Sequence, residues 1–181
     1  MVPQQSPLLT AEDIRRALDR MAAEIIERNR GLKRLGLIGI RTRGEFLASR
    51  LRDLMAARAD EGEVIPVGVL DATIYRDDYD PMRTAVRMGK TEVPFPVDDL
   101  HIVMVDDVLY TGRTARAAMT GVMALGRPSL LTLAVLVDRG GRELPIRADF
   151  VGKTVATSRE ERVKVLLEEI DGRDEVLLVR A

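Results

Sequence analysis

Val103-Met-Val-Asp-Asp-Val-Leu-Tyr-Thr-Gly-Arg-Thr114 decides how this chain is read. The run from His101 to Val105 is apolar after its histidine and shows no alternation, the pattern of a strand covered on both faces. It ends in two carboxylates, Asp106 and Asp107. A short loop follows, and Thr111-Gly-Arg-Thr114 leads into a helix. In an open parallel sheet the ligand crevice lies beyond the carboxyl ends of the strands. The N–H groups of Thr111, Gly112, Arg113 and Thr114 would then lie at a helix N-terminus. There, unpaired donors and the helix dipole favour a phosphate dianion. Gly112 lets the backbone come close, and the Thr hydroxyls add donors. Carboxylates repel such a phosphate, so Asp106 and Asp107 suit sugar hydroxyls or a hard cation. A ribose 5-phosphate carries both ends. Paired aspartates alone are also what a solvated strand end carries; the apolar run before them and the helix start after them lift this pair above that reading. Receiver-type and phosphatase domains place aspartates after strands too, but they lack this loop immediately downstream.

Outward from that stretch, strands and helices alternate. Thr10 caps a helix whose inner face is Ile14, Leu18, Met21 and Ile25, ended by Gly31. Leu35 to Ile40 reads as a buried strand, and Gly39-Ile-Arg-Thr-Arg-Gly44 as a turn. Leu47, Leu51 and Leu54 mark a second helix. Val64 to Leu70 is a strand with Pro66 at an edge or irregularity. Residues 71–96 build no core element and read as a lid or binding loop, or as disorder, with a ribbon about Thr84 to Met88. A helix from about Thr114 turns Ala115, Met119, Val122 and Met123 inward and closes at Gly126. Leu130 to Val137 is the next strand. Val163 to Leu167 and Val176 to Val179 are late strands joined by Asp171-Gly172. The fold class is α/β with a largely parallel sheet. The length of 181 residues suits one domain over residues 1–181.

Composition narrows the chemistry. The formal net charge of −1 argues against nucleic-acid binding by overall charge, while leaving room for a local basic patch. There is no cysteine, hence no disulfide, thiolate nucleophile or Cys-based metal site. His101 is the one histidine, at a strand start outside the crevice, and reads as structural. No apolar run reaches membrane-span length, and the N-terminus lacks a basic-then-apolar signal layout, so the cytoplasm is the default location. Arginine far outnumbers lysine and Asn and Gln are scarce, which fits a thermophile and a GC-rich genome equally well.

Val103 to Thr114 resembles the phosphoribosyl pyrophosphate (PRPP) signature of type I phosphoribosyltransferases: apolar strand, two acids, then T-G-x-T. Gly39 to Gly44 resembles the pyrophosphate loop of the bacterial pyrimidine operon attenuation regulators, which are also uracil phosphoribosyltransferases. Val137-Asp-Arg-Gly-Gly-Arg-Glu-Leu-Pro-Ile-Arg-Ala-Asp-Phe-Val-Gly-Lys153 resembles their base-side segment (about 137–157), and Asp71 to Asp78 their flexible loop. These matches span most of Leu35 to Ser158. In one departure, Gly141 stands where family members commonly carry His.

The resemblance implies a type I phosphoribosyltransferase fold with a lid loop, converting uracil and PRPP to UMP and diphosphate. A bond breaking with oxocarbenium character needs charged pieces held in line rather than a covalent nucleophile. Mg2+ is implied with PRPP, and no dedicated protein metal site. The carried-over catalytic pair is Asp106 and Asp107. The carried-over nucleotide site is Arg41 and Thr42, with a non-proline cis peptide there, Arg76 on the lid, and Val103, Met104, Val105, Asp106, Asp107, Val108, Leu109, Tyr110, Thr111, Gly112, Arg113 and Thr114. Val137, Asp138 and Arg139 would face the base, with backbone groups reading its edge. The resemblance further implies a regulator that senses UMP or UTP and binds a stem-loop in pyrimidine operon leader mRNA, as a homodimer or higher homo-oligomer. Arg142, Arg147 and Lys153 on the base-side segment, with Arg15, Arg16 and Arg20 on the first helix, are the RNA candidates. Aromatics are only 3% of the chain, so arginine would have to stack on bases. Solvated surface arginines are the plainer reading of the same residues. A phosphoribosyltransferase for another base, without an RNA role, satisfies the phosphate motif but not the 137–153 segment.

Overall fold

The computed structural model describes residues 4–60, 63–77 and 90–180. Its centre is a parallel sheet of five strands: β2 (Leu35–Ile40), β3 (Val67–Leu70), β4 (His101–Leu109), β5 (Leu130–Asp138) and β6 (Phe150–Thr154). They lie in the order β3-β2-β4-β5-β6. The chain runs outward from β2 to β3, then returns to place β4 on the other side of β2. The sheet therefore has a topological switch point between β2 and β4, where a ligand crevice opens beyond the strand ends.

Both faces are covered. Leu37, Val103, Val105, Ala134 and Leu136 face a core shared with α1 (Ala11–Asn29) and α2 (Arg43–Ala56). Ile38, Ile40, Met104, Leu133 and Val135 face a second core shared with α3 (Arg113–Leu125). Adjacent residues alternate between cores, which explains why these strands read as continuous apolar runs. Thr10 caps α1 in a reciprocal box with Asp13.

β1 (Gln4–Leu9), β7 (Glu161–Leu166) and β8 (Glu175–Arg180) form a separate antiparallel sheet ordered β1-β8-β7. Leu9, Val165 and Val176 pack it into the α1–α2 core. Arg43 pairs with Asp171 at 3.1 Å, and Arg50 with Glu169 at 2.6 Å and Asp174 at 2.7 Å. These bonds tie α2 to the short helix α4 (Glu168–Asp171) and its exit. Together the two acids hold the Arg50 guanidinium in its charged form.

Several expectations are corrected. β4 continues through Asp106 to Leu109, because its ladder with β5 runs on to the pair Leu109–Asp138. The two aspartates thus lie within the strand's last turns rather than after it. β3 starts at Val67, behind Pro66, and Val64 is 84% exposed. Met123, expected inward, is 59% exposed. β1, β6 and α4 are additions. The ribbon about Thr84 to Met88 lies outside the described residues.

α2 starts hard against β4. A Cβ on Gly44 would stand 2.2 Å from the Val105 carbonyl oxygen and 3.3 Å from Asp106 Cα. This contact sets the Arg41–Thr42 turn beside the carboxyl end of β4.

Candidate active site

Asp106 and Asp107 are half-buried at the switch point. Asp106 Oδ1 accepts the Asp107 N–H at 2.9 Å, and Asp107 Oδ1 accepts the Val108 N–H at 2.8 Å. Burial, with the Asp107 charge beside it, pushes the Asp106 carboxyl well above the usual carboxylate range. Burial thus biases that carboxyl towards its neutral form, and an arriving cation or ribose hydroxyls would offset the cost of charging it.

Gly112 is the N-cap of α3 with φ of 92°, a conformation that glycine adopts without a Cβ penalty. That turn aims the first N–H groups of α3 along the helix axis, where they lack intrahelical acceptors. The Thr111 carbonyl accepts from the N–H groups of Glu143 at 2.9 Å and Leu144 at 3.1 Å, which anchors the base-side segment on this loop. Arg76 Nη1 donates to Thr114 Oγ1 at 3.0 Å. A cleft of about 420 Å³ runs among Arg76, Asp106, Tyr110, Thr111 to Ala115 and Glu143. A roomier groove of about 590 Å³ lies elsewhere, between Leu18 of α1 and Leu54 of α2, and holds none of this constellation.

The peptide bond between Arg41 and Thr42 is cis. The Arg41 N–H donates to the Leu70 carbonyl at 3.0 Å, and the guanidinium stands 3.8 Å from Glu45. Arg41 Nε is buried with no hydrogen-bond partner among the described residues. A buried guanidinium nitrogen with no acceptor fits an anionic ligand, since leaving it unmatched is costly.

The base-side residues are fixed by their own contacts. Val137 is fully buried and can offer only backbone. Asp138 accepts the Gly140 N–H at 3.0 Å and pairs with Arg142. Burial would raise its pKa, but the Arg142 guanidinium and Gly140 N–H outweigh it and hold the carboxyl below its ordinary range. The Arg139 side chain, at a position whose backbone is expected to read the base, is buried and bonded to Thr157 Oγ1 at 2.9 Å and to the carbonyls of Ser158 at 2.9 Å and Glu161 at 2.7 Å. Its guanidinium stacks 4.0 Å from the centre of the Tyr110 ring. Arg139 therefore clamps the end of β5 to the start of β7. A Cβ on Gly141 would stand 2.4 Å from Tyr110 Cε2, so a larger residue here requires the ring to move.

The RNA candidates separate into groups. Arg20 donates to the Val151 and Gly152 carbonyls at 3.2 and 2.6 Å, and the space that a Gly152 Cβ would fill abuts Ala17 Cβ. Arg16, Arg20 and Lys153 consequently share one exposed face where α1 crosses β6. Arg15 borders the α1–α2 groove instead. Arg147 is exposed beside a hollow formed with Met104 and Met119. Arg142 is a correction: its guanidinium pairs with Asp138 and donates to the carbonyls of Tyr110 at 2.9 Å and Ile146 at 2.9 Å, leaving little for a phosphate. His101 lies at the opposite end of β4, bonded to Asn29 Oδ1 at 2.9 Å and Thr132 Oγ1 at 2.8 Å, with burial lowering its pKa. The pairing of Arg113 with Asp77 and Glu143 is not legible in the sequence, because nothing local marks contacts across 36 and 30 residues.

The family described as phosphoribosyl transferase domain matches residues 4–166. A relative named bifunctional protein PyrR, from Pelotomaculum thermopropionicum, is 51% identical, with 99% of this chain and 98% of the relative covered. Relatives of the same name from Thermus aquaticus and Chloroflexus aurantiacus are each 55% identical, over 96% and 97% of this chain and 95% and 96% of theirs. The hypoxanthine phosphoribosyltransferase of Trypanosoma cruzi has the same fold, with a TM-score of 0.70 at 20% identity, covering 97% of this chain and 96% of its own.

Proposed function

Because this chain belongs to the phosphoribosyl transferase family, among relatives named bifunctional protein PyrR, we propose that it makes UMP and diphosphate from uracil and PRPP and also binds pyrimidine operon leader mRNA as an attenuation regulator sensing UMP or UTP. The observation that carries the enzyme reading is the single cleft holding Asp106, Arg76 and the Thr111 to Thr114 helix start. The α3 N-terminus binds the 5-phosphate of the ribose. Asp106 and Asp107 take the ribose hydroxyls, and the turn at Arg41 and Thr42 takes the pyrophosphate. Backbone groups about Val137 and Asp138 read the uracil edge.

In the transfer, the bond from ribose C1 to a pyrophosphate oxygen breaks and a bond to the uracil nitrogen forms. The protein holds the three pieces in line, disperses the leaving charge through Arg41 and keeps water out. Two adjacent carboxylates fit a hard divalent cation, and among the described residues no cluster of three or more His, Cys, Asp or Glu could hold one alone. Mg2+ arriving with PRPP supplies charge neutralisation and a template for the oxygens. We place the whole chain in one phosphoribosyltransferase unit, acting in the cytoplasm as a homodimer or higher homo-oligomer.

For the regulatory role, the exposed face of Arg16, Arg20 and Lys153 supplies the phosphate contacts once RNA displaces Glu12 from Arg16 and Glu24 from Arg20. Each phosphate contact contributes about 0.7–0.9 to the slope of log K against log salt. Changing those three residues to Gln should lower the slope for leader RNA by about 2–3 without loss of UMP synthesis. An unchanged slope rejects this face, and no specific RNA binding by the wild type leaves only the enzyme. Replacing Asp106 and Asp107 together with Asn should abolish UMP formation with the fold retained. Turnover near wild type, or a wild type that uses another base instead of uracil, rejects the assignment.

A further inference from the structure

Arg113 begins α3, so its N–H group belongs to the phosphate loop, but its side chain leaves that loop sideways. Its guanidinium pairs with Asp77 on one rim of the cleft, and its Nε with Glu143 Oε2 at 2.9 Å on the other. The first rim is seated on α3 by further bonds: Arg116 Nη2 donates to the Tyr75 carbonyl at 2.8 Å, and Arg76 Nη1 to Thr114 Oγ1 at 3.0 Å. The second rim hangs from the Thr111 carbonyl. A planar guanidinium can satisfy two acids from different directions, which an ammonium cannot do in fixed geometry.

We propose that Arg113 is a positioning residue that joins the two rims, so that the PRPP side and the uracil side of the cleft are held at one spacing. This inference rests on the enzyme reading above. Both ion pairs exist before substrates bind, so they preorganise the free cleft, and without them each substrate must spend binding energy on setting the rims. Their loss raises KM and spares kcat.

The test compares R113Q, R113K, D77N, E143Q and R113Q/E143Q by steady-state kinetics, thermal melting and UMP calorimetry. Exposed pairs are individually weak, so R113Q should raise KM for PRPP and for uracil by about two- to fivefold, with kcat changed less than about twofold. D77N should raise mainly the PRPP value and E143Q mainly the uracil value. R113Q/E143Q should be no worse than R113Q for uracil, because the shared bond is already gone. R113K should restore one KM and not both. High salt should bring the wild type towards R113Q. A merely structural Arg113 would lower the melting point and leave these splits absent. Unchanged KM values in R113Q, or full additivity of the double variant, overturn the proposal. If the wild type binds UMP without making it, the enzyme reading fails, and the proposal stands or falls on whether R113Q weakens UMP by the same factor. A wild type that binds neither UMP nor PRPP overturns both.

Discussion

Gly44→Ala adds one methyl group where there is no room. The new Cβ would lie 2.2 Å from the Val105 carbonyl oxygen, against an ordinary C···O contact of about 3.3 Å, so α2 or β4 must retreat by about 1 Å. β4 cannot yield cheaply, because Val105 is paired with Gly39 on one side and Ala134 on the other. Overpacking costs about 1–3 kcal/mol, and a clash with backbone belongs at the upper end. For a chain of this size, about 3 kcal/mol lowers the melting point by roughly 6–12 °C. The displaced elements carry Arg41 and Thr42 on one side of the clash and Asp106 on the other. A misplacement of about 1 Å among such groups reduces kcat/KM about 100-fold. Thermal unfolding by circular dichroism and the rate of UMP synthesis measure the two effects. A variant melting within about 2 °C of wild type, with kcat/KM within about threefold, would refute the argument that this contact sets the crevice.

Asp106→Asn tests the raised pKa. A carboxyl whose pKa is higher folded than unfolded contributes stability at low pH and loses it as pH rises through the folded value. The variant should melt near wild type in acid and above it at higher pH; an advantage confined to acid would reverse the sign and refute the burial argument. Arg142→Gln should lower the melting point by about 4–8 °C, from about 2 kcal/mol of charged hydrogen bonds, and leave the salt slope of RNA binding unchanged. A flattened slope with an unchanged melting point would return Arg142 to the RNA face.

The sequence is most legible where a signal is local. His101 to Gly126 announces strand, acids, glycine turn and helix within one short stretch, and all four occur. β1 is illegible because Gln4, Gln5 and Pro7 give no alternation; only β8 makes it a strand. β6 is hidden for a similar reason, since Gly152 and Lys153 interrupt its apolar pattern and its pairing with β5 is remote. The acids Asp106 and Asp107 suggest a strand end, yet the β5 ladder carries the strand through them. Arginine is the least readable residue here. Arg16, Arg139 and Arg142 look alike in sequence, but one is exposed, one is buried under Tyr110 and one is committed to Asp138. What separates them is the partner that folding brings, not the neighbours in the chain.

The small sheet also has a consequence for synthesis. β1 leaves the ribosome long before its partner β8. At about 5–20 residues per second, the wait between Leu9 and Glu175 is roughly 10–30 s. Throughout it β1 is an orphan edge, the kind of segment that recruits the wrong strand. Its Gln4, Gln5 and Pro7, which made it invisible to pattern reading, are what make it a poor template during that interval. Once β8 arrives, β1 and β8 are stitched together over the α1–α2 core, so completion of that core waits for β8.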